Sequence, residues 1–182
     1  RARTAYRTGR KSSVRRGSDR VSEAEKTARR KYSLSVFYPC YNEQDNVRRV
    51  VGEALAVLPA LVDDFEIILV DDGSTDRTGE IVDELAAGDE RISAVHHPAN
   101  RGYGAALQSG FRAATKELVF YTDGDGQFDI AELDKLLDLI DRYDIVSGRR
   151  SNRQDHFVRR LNAWLWGKLV TWVLGFRCRD VD

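Results

Sequence analysis

The chain has 182 residues, which is enough for one domain with a sizeable core and too few for two large domains. Its two cysteines, Cys40 and Cys178, are far apart and form no CxxC pair, which argues against a disulfide framework and a zinc site. The formal net charge is zero, but residues 1–31 carry +9 and the remaining residues −9, so a basic arm precedes an acidic globular part.

Residues 1–31 contain almost no large apolar side chains. Burial therefore cannot offset the entropy cost of ordering them, and we expect a disordered arm. This arm is either a solubilising tail or a contact for an anionic partner, an acidic lipid before a nucleic acid. No apolar segment typical of a signal peptide follows the basic residues, and no run of about 18 apolar residues predicts a membrane-spanning helix.

After residue 31, strand and helix patterns alternate. In chain order the sequence predicts strand 34–37, helix 47–58 ended by Pro59, strand 65–70, helix 81–86 closed by Gly88, strand 91–97, helix 105–114, strand 117–122, helix 130–140 and strand 144–148. The run at 65–70 is continuously apolar, as in a strand buried on both faces. This alternation is typical of an open, mostly parallel α/β sheet with helices on both faces.

Three polar segments follow predicted strands: PCYNE (39–43), DDGSTD (71–76) and DGDGQ (123–127). Ligands of open α/β sheets bind outside the carboxyl ends of the strands, which lie along one edge. We therefore expect all three segments to contribute to one ligand site.

The DGDGQ segment carries two carboxylates that repel each other. In extended backbone Asp123 and Asp125 point the same way, so one divalent cation can neutralise both. Carboxylate oxygens suit Mg²⁺ or Mn²⁺, and these ions keep positions open for phosphate oxygens. A calcium-binding EF-hand loop is excluded, because its required glycine and glutamate are Phe128 and Asp134 here. Asp129 is expected to cap the following helix.

The other motifs leave alternatives open. In DDGSTD, residues 74–76 simply start a helix, or Asp71 and Asp72 accept hydrogen bonds from a base or ribose. NRGYGAAL (100–107) lacks the third glycine of a dinucleotide-binding motif and predicts a flexible loop beside the ligand that enters a helix at 105. His96 and His97, at the end of a strand, are interpreted as structural.

The C-terminal part is both basic and apolar. Arginines after the fifth strand, Arg149 and Arg150 among them, either bind phosphate or form a solvated loop. Residues 157–176 form the most apolar stretch and contain three tryptophans. They predict either a core helix or an interfacial helix that binds a membrane surface.

Four motifs, SVFYPCYNEQDNV, EIILVDDGSTDRT, NRGYGAALQSGF and FYTDGDGQFD, resemble in this order those of glycosyltransferase family 2. The resemblance covers about residues 33–182, and the most similar subgroup is the polyprenyl-phosphate, dolichol-phosphate mannosyltransferase-like sugar transferases. It implies a GT-A fold with residues 32–182 as the catalytic domain. It also implies a metal-dependent enzyme that transfers a sugar from a nucleotide-diphosphate sugar with inversion.

The resemblance also implies roles for single residues. The nucleotide sugar would contact Pro39, Tyr41, Glu43, Asp72 and Asp123, and Mg²⁺ or Mn²⁺ would bind Asp123, Asp125 and Gln127. Asp180, in FRCRDVD, would lie at the acceptor as the catalytic residue. Because family members continue beyond this segment, often into membrane segments, we expect a catalytic domain truncated at its C-terminal end. It would lie peripherally on the cytoplasmic face of a membrane.

We expect GDP- or UDP-sugar as the donor and a polyprenyl or dolichyl phosphate as the acceptor, since the arginines and the tryptophan-rich segment suit a lipid phosphate. Three alternatives remain: a saccharide hydroxyl acceptor deprotonated by Asp180, a sugar nucleotidyltransferase, and a non-catalytic binding module with the same fold. The nucleotidyltransferase would need a glycine-rich, basic first loop, which PCYNE is not. No nucleic-acid partner is expected, and the sequence leaves the oligomeric state undetermined.

Overall fold

The computed structural model describes the backbone of residues 3–7 and 30–148 and the side chains of residues 32–148. Contacts divide the chain into two units. One unit is Ala5–Val146, which contains the candidate site and the strands between residues 30 and 121. The other comprises Arg1–Thr4 and Ser147–Asp182, most of which lies outside the described residues.

The described residues form six strands, four α-helices and one short 3-10 helix. In chain order they are β1 (Arg3–Arg7), β2 (Arg30–Cys40), α1 (Val47–Leu61), β3 (Val62–Asp71), α2 (Thr78–Gly88), β4 (Ile92–His96), α3 (Tyr103–Ala113), β5 (Leu118–Tyr121), the 3-10 helix Ile130–Glu132, α4 (Leu133–Leu137) and β6 (Ile145–Gly148). None of these helices is both long and apolar enough to cross a membrane.

The strands form one sheet in the order β4-β3-β2-β5-β1-β6. Strand β2 pairs in parallel with β3 on one side and with β5 on the other, and β3 pairs in parallel with β4. The chain thus steps outward from β2 to β4 and then returns to the opposite side of β2. Such a reversal of strand order opens a crevice at the carboxyl ends of the two strands involved, here β2 and β5.

Hydrophobic residues on the two faces of the sheet form separate clusters. In β3, Ile67 and Leu69 belong to the cluster shared with α1, α2 and α4, whereas Ile68 and Val70 belong to the cluster shared with α3. All four side chains are fully buried. The predictions of a strand buried on both faces and of helices on both sides of the sheet are therefore confirmed.

Helix α3 packs closely on β2 where Gly110 faces the ring of Phe37. A Cβ atom at this position would lie only 2.3 Å from the ring of Phe37. The Phe37 ring also contacts Phe111 and Tyr121, with centroid distances of 5.0 and 5.3 Å. A larger residue than glycine at position 110 would displace this ring or the helix.

Several helix boundaries differ from the predictions. Helix α1 continues past Pro59 to Leu61, because a proline in the last turn removes only one hydrogen bond and the N–H of Val62 still bonds to the carbonyl of Leu58. Helix α3 begins at Tyr103, two residues earlier than predicted. The predicted helix 130–140 divides into the 3-10 helix and α4, although its apolar face is buried as expected at Ile130, Leu133, Leu137 and Ile140.

The prediction of a disordered arm is wrong at its two ends. Residues Arg3–Arg7 form β1, which occupies a place in the sheet between β5 and β6, and β2 already begins at Arg30. A strand gains main-chain hydrogen bonds from its neighbours and does not require large apolar side chains, so composition alone misses it. For residues 1–2 and 8–29 the prediction lies outside the described residues.

Candidate functional site

The loops after β2 and β3 are joined by reciprocal hydrogen bonds. Asn42, in a left-handed conformation with φ 55°, donates its N–H to Ser74 Oγ at 3.0 Å. Its side-chain Oδ1 accepts the N–H of Thr75 at 2.8 Å. One residue further, the N–H of Glu43 donates to Thr78 Oγ1 at 2.8 Å. The structure therefore brings the PCYNE and DDGSTD segments together, as the sequence predicts.

The predicted nucleotide contacts of the first loop differ in exposure. Pro39 is buried within β2, just beyond the residues that pair with β5. Tyr41 is 45% exposed at the end of this strand, so its ring is accessible to a ligand. Glu43 is partly buried, and its Oε2 accepts the side-chain amide of Asn46 at 2.8 Å.

Asp72 is only 3% exposed, and both of its carboxylate oxygens accept hydrogen bonds from within the protein. Oδ1 accepts His97 Nδ1 at 2.6 Å and the N–H of Arg101 at 2.9 Å, while Oδ2 accepts the N–H of Gly102 at 2.9 Å. Burial alone would raise the pKa of Asp72, but the hydrogen bonds from His97, Arg101 and Gly102 lower it below its usual value. In this geometry the ionised Asp72 holds the loop that precedes α3.

The interpretation of the two histidines as structural agrees with their contacts. Buried His97 joins Asp72 to Ser109 of α3, with Nε2 at 2.8 Å from Ser109 Oγ. His96 lies between Asp71 and Asp83, at 3.1 and 3.0 Å. Burial alone would lower the pKa of His96, but these two carboxylates raise it.

The DGDGQ loop follows β5 and lies against the end of β2. A Cβ atom at Gly124 would be 3.0 Å from Cys40 Sγ and 3.4 Å from the carbonyl oxygen of Pro39, so a glycine allows the two segments to touch. Burial raises the pKa of the Cys40 thiol well above its usual range, so this side chain is a packed, unreactive thiol. The loop therefore lies in the β2–β5 crevice.

Within this loop the carboxylates have different surroundings. Asp123 is 8% exposed, and its Oδ1 accepts the hydroxyl of Tyr103 at 3.1 Å. Asp125 is partly buried, and its Oδ1 accepts the N–H of Gln127 at 3.0 Å. The side chain of Gln127 is exposed. Asp129 caps the 3-10 helix by accepting the N–H of Ala131 at 2.9 Å, as predicted.

The donor set of this loop fits a cation that also binds a ligand. Among residues 32–148, no three His, Cys, Asp or Glu side chains form a group that could hold a metal ion by themselves. Asp123 and Asp125 offer hard carboxylate oxygens, which Mg²⁺ and Mn²⁺ prefer, and two protein carboxylates leave coordination positions for phosphate oxygens. Gly126, with φ +69°, turns the backbone where the guanidinium of Arg49 approaches.

Several predicted residues lie outside the described part of the chain. They are Asp180, Arg149 and Arg150, together with the apolar stretch 157–176. Their proposed roles rest on the sequence alone.

Comparison with known proteins agrees with the motifs. The pattern that defines glycosyl transferase family 2 matches residues 35–179, most of the chain. The chain belongs to glycosyl transferase family 2. The family match includes the three segments that meet at the β2–β5 crevice.

Similar proteins include family 2 transferases named for a lipid phosphate. The chain is 35% identical over 149 residues to an undecaprenyl-phosphate 4-deoxy-4-formamido-L-arabinose transferase of Edwardsiella ictaluri, a match covering 81% of the chain and 46% of the relative. A protein of the same name from Pectobacterium atrosepticum is 37% identical, with 71% and 40% covered. The chain therefore spans about half the length of the curated relatives it matches.

The solved structure of a mannosyltransferase supports the GT-A fold. A mannosyltransferase of Pyrobaculum calidifontis, in complex with GDP-Man and Mn²⁺, superimposes with a TM-score of 0.52 at 26% identity. The match covers 59% of this chain and 32% of the mannosyltransferase. The parallel sheet with helices on both faces is thus the GT-A fold of glycosyltransferases.

Three contacts of the site were not predicted from the sequence. They are the hydrogen bonds by which Asn42 joins the loops after β2 and β3, the hydrogen bond between His97 and Asp72, and the hydrogen bond from Tyr103 to Asp123. Only the contact of Tyr103 was indicated by the sequence, because the NRGYG segment was expected beside the ligand. The others depend on which loops adjoin, which no local pattern reveals.

Proposed function

We propose that this chain forms the donor-binding and catalytic part of an inverting, metal-dependent glycosyltransferase. It transfers a sugar from a GDP- or UDP-sugar to a polyprenyl phosphate. The observation that carries the proposal is the meeting of three polar segments at the β2–β5 crevice, with Gly124 touching Cys40 and Pro39. The names of the relatives support the lipid phosphate as the acceptor.

In this proposal the nucleoside binds the loops after β2 and β3. Tyr41 offers an exposed ring to the base, buried Pro39 lies two residues before it at the end of β2, and Glu43 offers a carboxylate oxygen to a ribose or base donor. Asp72 already holds the loop before α3, and one lone-pair position of its Oδ2 remains to accept from the base. The hydrogen bonds between the two loops keep these groups in place before the ligand binds.

The diphosphate binds at the DGDGQ loop. Asp123 and Asp125, with Gln127 as a further oxygen ligand, would hold Mg²⁺ or Mn²⁺ there, and Arg49 lies against the same loop. The cation, when bound, neutralises negative charge that develops on the leaving nucleoside diphosphate. The two carboxylates thus become favourable only together with a cation, which explains why the chain tolerates their repulsion.

The acceptor side rests on residues outside the described range. A lipid phosphate is already largely ionised, with a second pKa of about 6, so it requires positioning more than deprotonation. Arg149 and Arg150 would bind that phosphate, and Asp180 would lie at the reacting centre. The segment 157–176 would bind the surface of the cytoplasmic leaflet, which presents the acceptor.

Calorimetric titration of GDP and UDP, with and without Mn²⁺, tests the donor site. We expect one nucleotide to bind tightly only with Mn²⁺, and Asp125→Asn to remove most of the metal-dependent part. Asp129→Asn is the matched control: it makes the same change four residues away, where asparagine retains the cap.

Two results would contradict the proposal. If neither nucleotide binds in any metal, the chain has no donor site and the non-catalytic binding module is favoured. If binding occurs but is equally strong without metal, the assignment of Asp123 and Asp125 as metal ligands is wrong.

A further inference from the structure

Tyr103 connects the two halves of the candidate site. It is the first residue of α3, is 40% exposed, and donates its hydroxyl to Asp123 Oδ1 at 3.1 Å. Asp123 belongs to the DGDGQ loop, 20 residues further along the chain. Tyr103 begins the helix that follows β4, whereas Asp123 lies in the loop that follows β5. A side chain from one strand–helix connection therefore contacts the first carboxylate of the proposed metal site in another.

The backbone before Tyr103 is fixed from the opposite side of the crevice. Asp72 accepts the N–H groups of Arg101 and Gly102, both at 2.9 Å. Gly102 has φ +88°, a conformation that glycine adopts without strain, and its carbonyl accepts the N–H of Ala105 at 2.9 Å in the first turn of α3. The position of the Tyr103 ring thus depends on the carboxylate in the nucleoside half of the site.

The bond to Asp123 orients a carboxylate without preventing it from binding a cation. A carboxylate has about four lone-pair positions, so one bond from a hydroxyl leaves others for a metal. Groups that hydrogen-bond metal ligands fix their orientation, and their loss typically lowers metal affinity. A phenolic hydroxyl serves this purpose well, because it donates without adding a charge that competes with the cation.

We propose that Tyr103 is a positioning residue that couples the nucleoside half of the donor site to its metal half. Through Asp72 and the loop 100–102 it orients the Asp123 carboxylate for a divalent cation bound with a nucleoside diphosphate. This inference rests on the proposed function. It adds a residue outside the DGDGQ segment to the set that determines metal-dependent binding.

Tyr103→Phe tests the coupling, because it removes the hydroxyl and keeps the ring. Tyr143→Phe is the control: Tyr143 is 59% exposed and lies away from the three segments in the sequence. Calorimetry measures the Kd of GDP or UDP for each protein with and without Mn²⁺, and electron paramagnetic resonance records the spectrum of bound Mn²⁺. Thermal unfolding verifies that both variants are folded.

We expect Tyr103→Phe to weaken nucleotide binding in Mn²⁺ about tenfold, the effect of one hydrogen bond to a charged group. Binding without metal should be unchanged, and the Mn²⁺ spectrum should differ from that of wild type. Tyr143→Phe should match wild type in every measurement.

Two results would overturn the coupling while leaving the donor site intact. One is unchanged binding of Tyr103→Phe in Mn²⁺, and the other is an equal loss with and without Mn²⁺, which indicates a direct nucleotide contact instead. If wild type itself binds neither nucleotide, the proposed function fails, and this inference fails with it.

Discussion

At the scale of single residues, the site depends on carboxylates that already accept hydrogen bonds from other groups of the protein. Asp72 is ionised, buried and bonded to His97 and to two backbone N–H groups. The negative charge of Asp72 strengthens the hydrogen bonds from these donors, and the donors in turn compensate for the hydration that the charge loses on burial. A residue that is assigned to ligand binding from its motif therefore also holds the loop before α3.

The first prediction concerns this double role. Asp72→Asn should lower the free energy of unfolding by about 1–3 kcal/mol at pH 7, because two N–H donors and a histidine lose their charged acceptor. The pKa of Asp72 is lowered in the folded protein, so its contribution is fully present above the unfolded value of about 3.9 and is lost progressively as pH falls from there through the lower folded pKa.

Denaturant unfolding of both proteins between neutral pH and pH 3, without nucleotide, measures this difference. The gap between wild type and Asp72→Asn should narrow in acid. Asp45→Asn, an exposed aspartate in the neighbouring loop, should leave stability nearly unchanged. Equal stability of wild type and Asp72→Asn at pH 7 would show that the loop does not depend on the carboxylate.

At the scale of elements, the site depends on how closely helices approach the sheet. The buried residues of helix α3 are small, namely Ala106 and Gly110. Small residues let its backbone lie directly on the Phe37 ring. The same helix presents Tyr103 at one end and Ser109 near the other, so its distance from the sheet sets both contacts.

Gly110→Ala should therefore lower the free energy of unfolding, although it adds only one methyl group. The added Cβ would lie 2.3 Å from a ring enclosed by two other aromatic rings, which cannot move away cheaply. Overpacking of this kind costs about 1–3 kcal/mol, although alanine is the better helix former. Thermal or denaturant unfolding measures the loss.

Gly104→Ala is the matched control in the same helix. A Cβ atom there has no neighbour within 4 Å, so the higher helix propensity of alanine should leave stability unchanged or slightly increased. If both variants unfold alike, α3 has more freedom to shift on the sheet than the contact with Phe37 implies.

At the scale of the whole molecule, the proposed function combines a site for a soluble donor with terminal segments whose composition suits a membrane surface. The net charge of +9 on residues 1–31 and the apolar stretch 157–176 lie at opposite ends of the sequence. If the acceptor is a lipid phosphate, binding to a membrane surface brings the donor site close to it.

The tryptophans provide a direct test of membrane binding. All three tryptophans of the chain lie within 157–176, so intrinsic tryptophan fluorescence reports on this stretch alone. Vesicles containing acidic lipid or undecaprenyl phosphate should shift the emission to shorter wavelengths, and raised salt should weaken the part due to the basic arm. Neutral vesicles should have a smaller effect, and no shift with any vesicle would contradict the membrane-surface role.

The sequence alone determined the alternation of strands and helices, because apolar periodicity follows directly from burying one or both faces. It also located the three polar segments at one edge, because parallel strands all end there. The prediction succeeded at β3, whose continuous apolar run fills both clusters. It failed at Arg3–Arg7, where the sheet supplies the hydrogen bonds that composition cannot indicate.

Only the tertiary structure decided which groups bond to one another within that edge. Asp72 and Asp123 are both aspartates after strands, yet one meets His97 and backbone N–H groups while the other meets Tyr103. These pairings depend on contacts 20 to 30 residues apart and on the close approach of α3 that Gly110 allows. Local spacing carries no record of such distances, so sequence identified the acids and the fold assigned their partners.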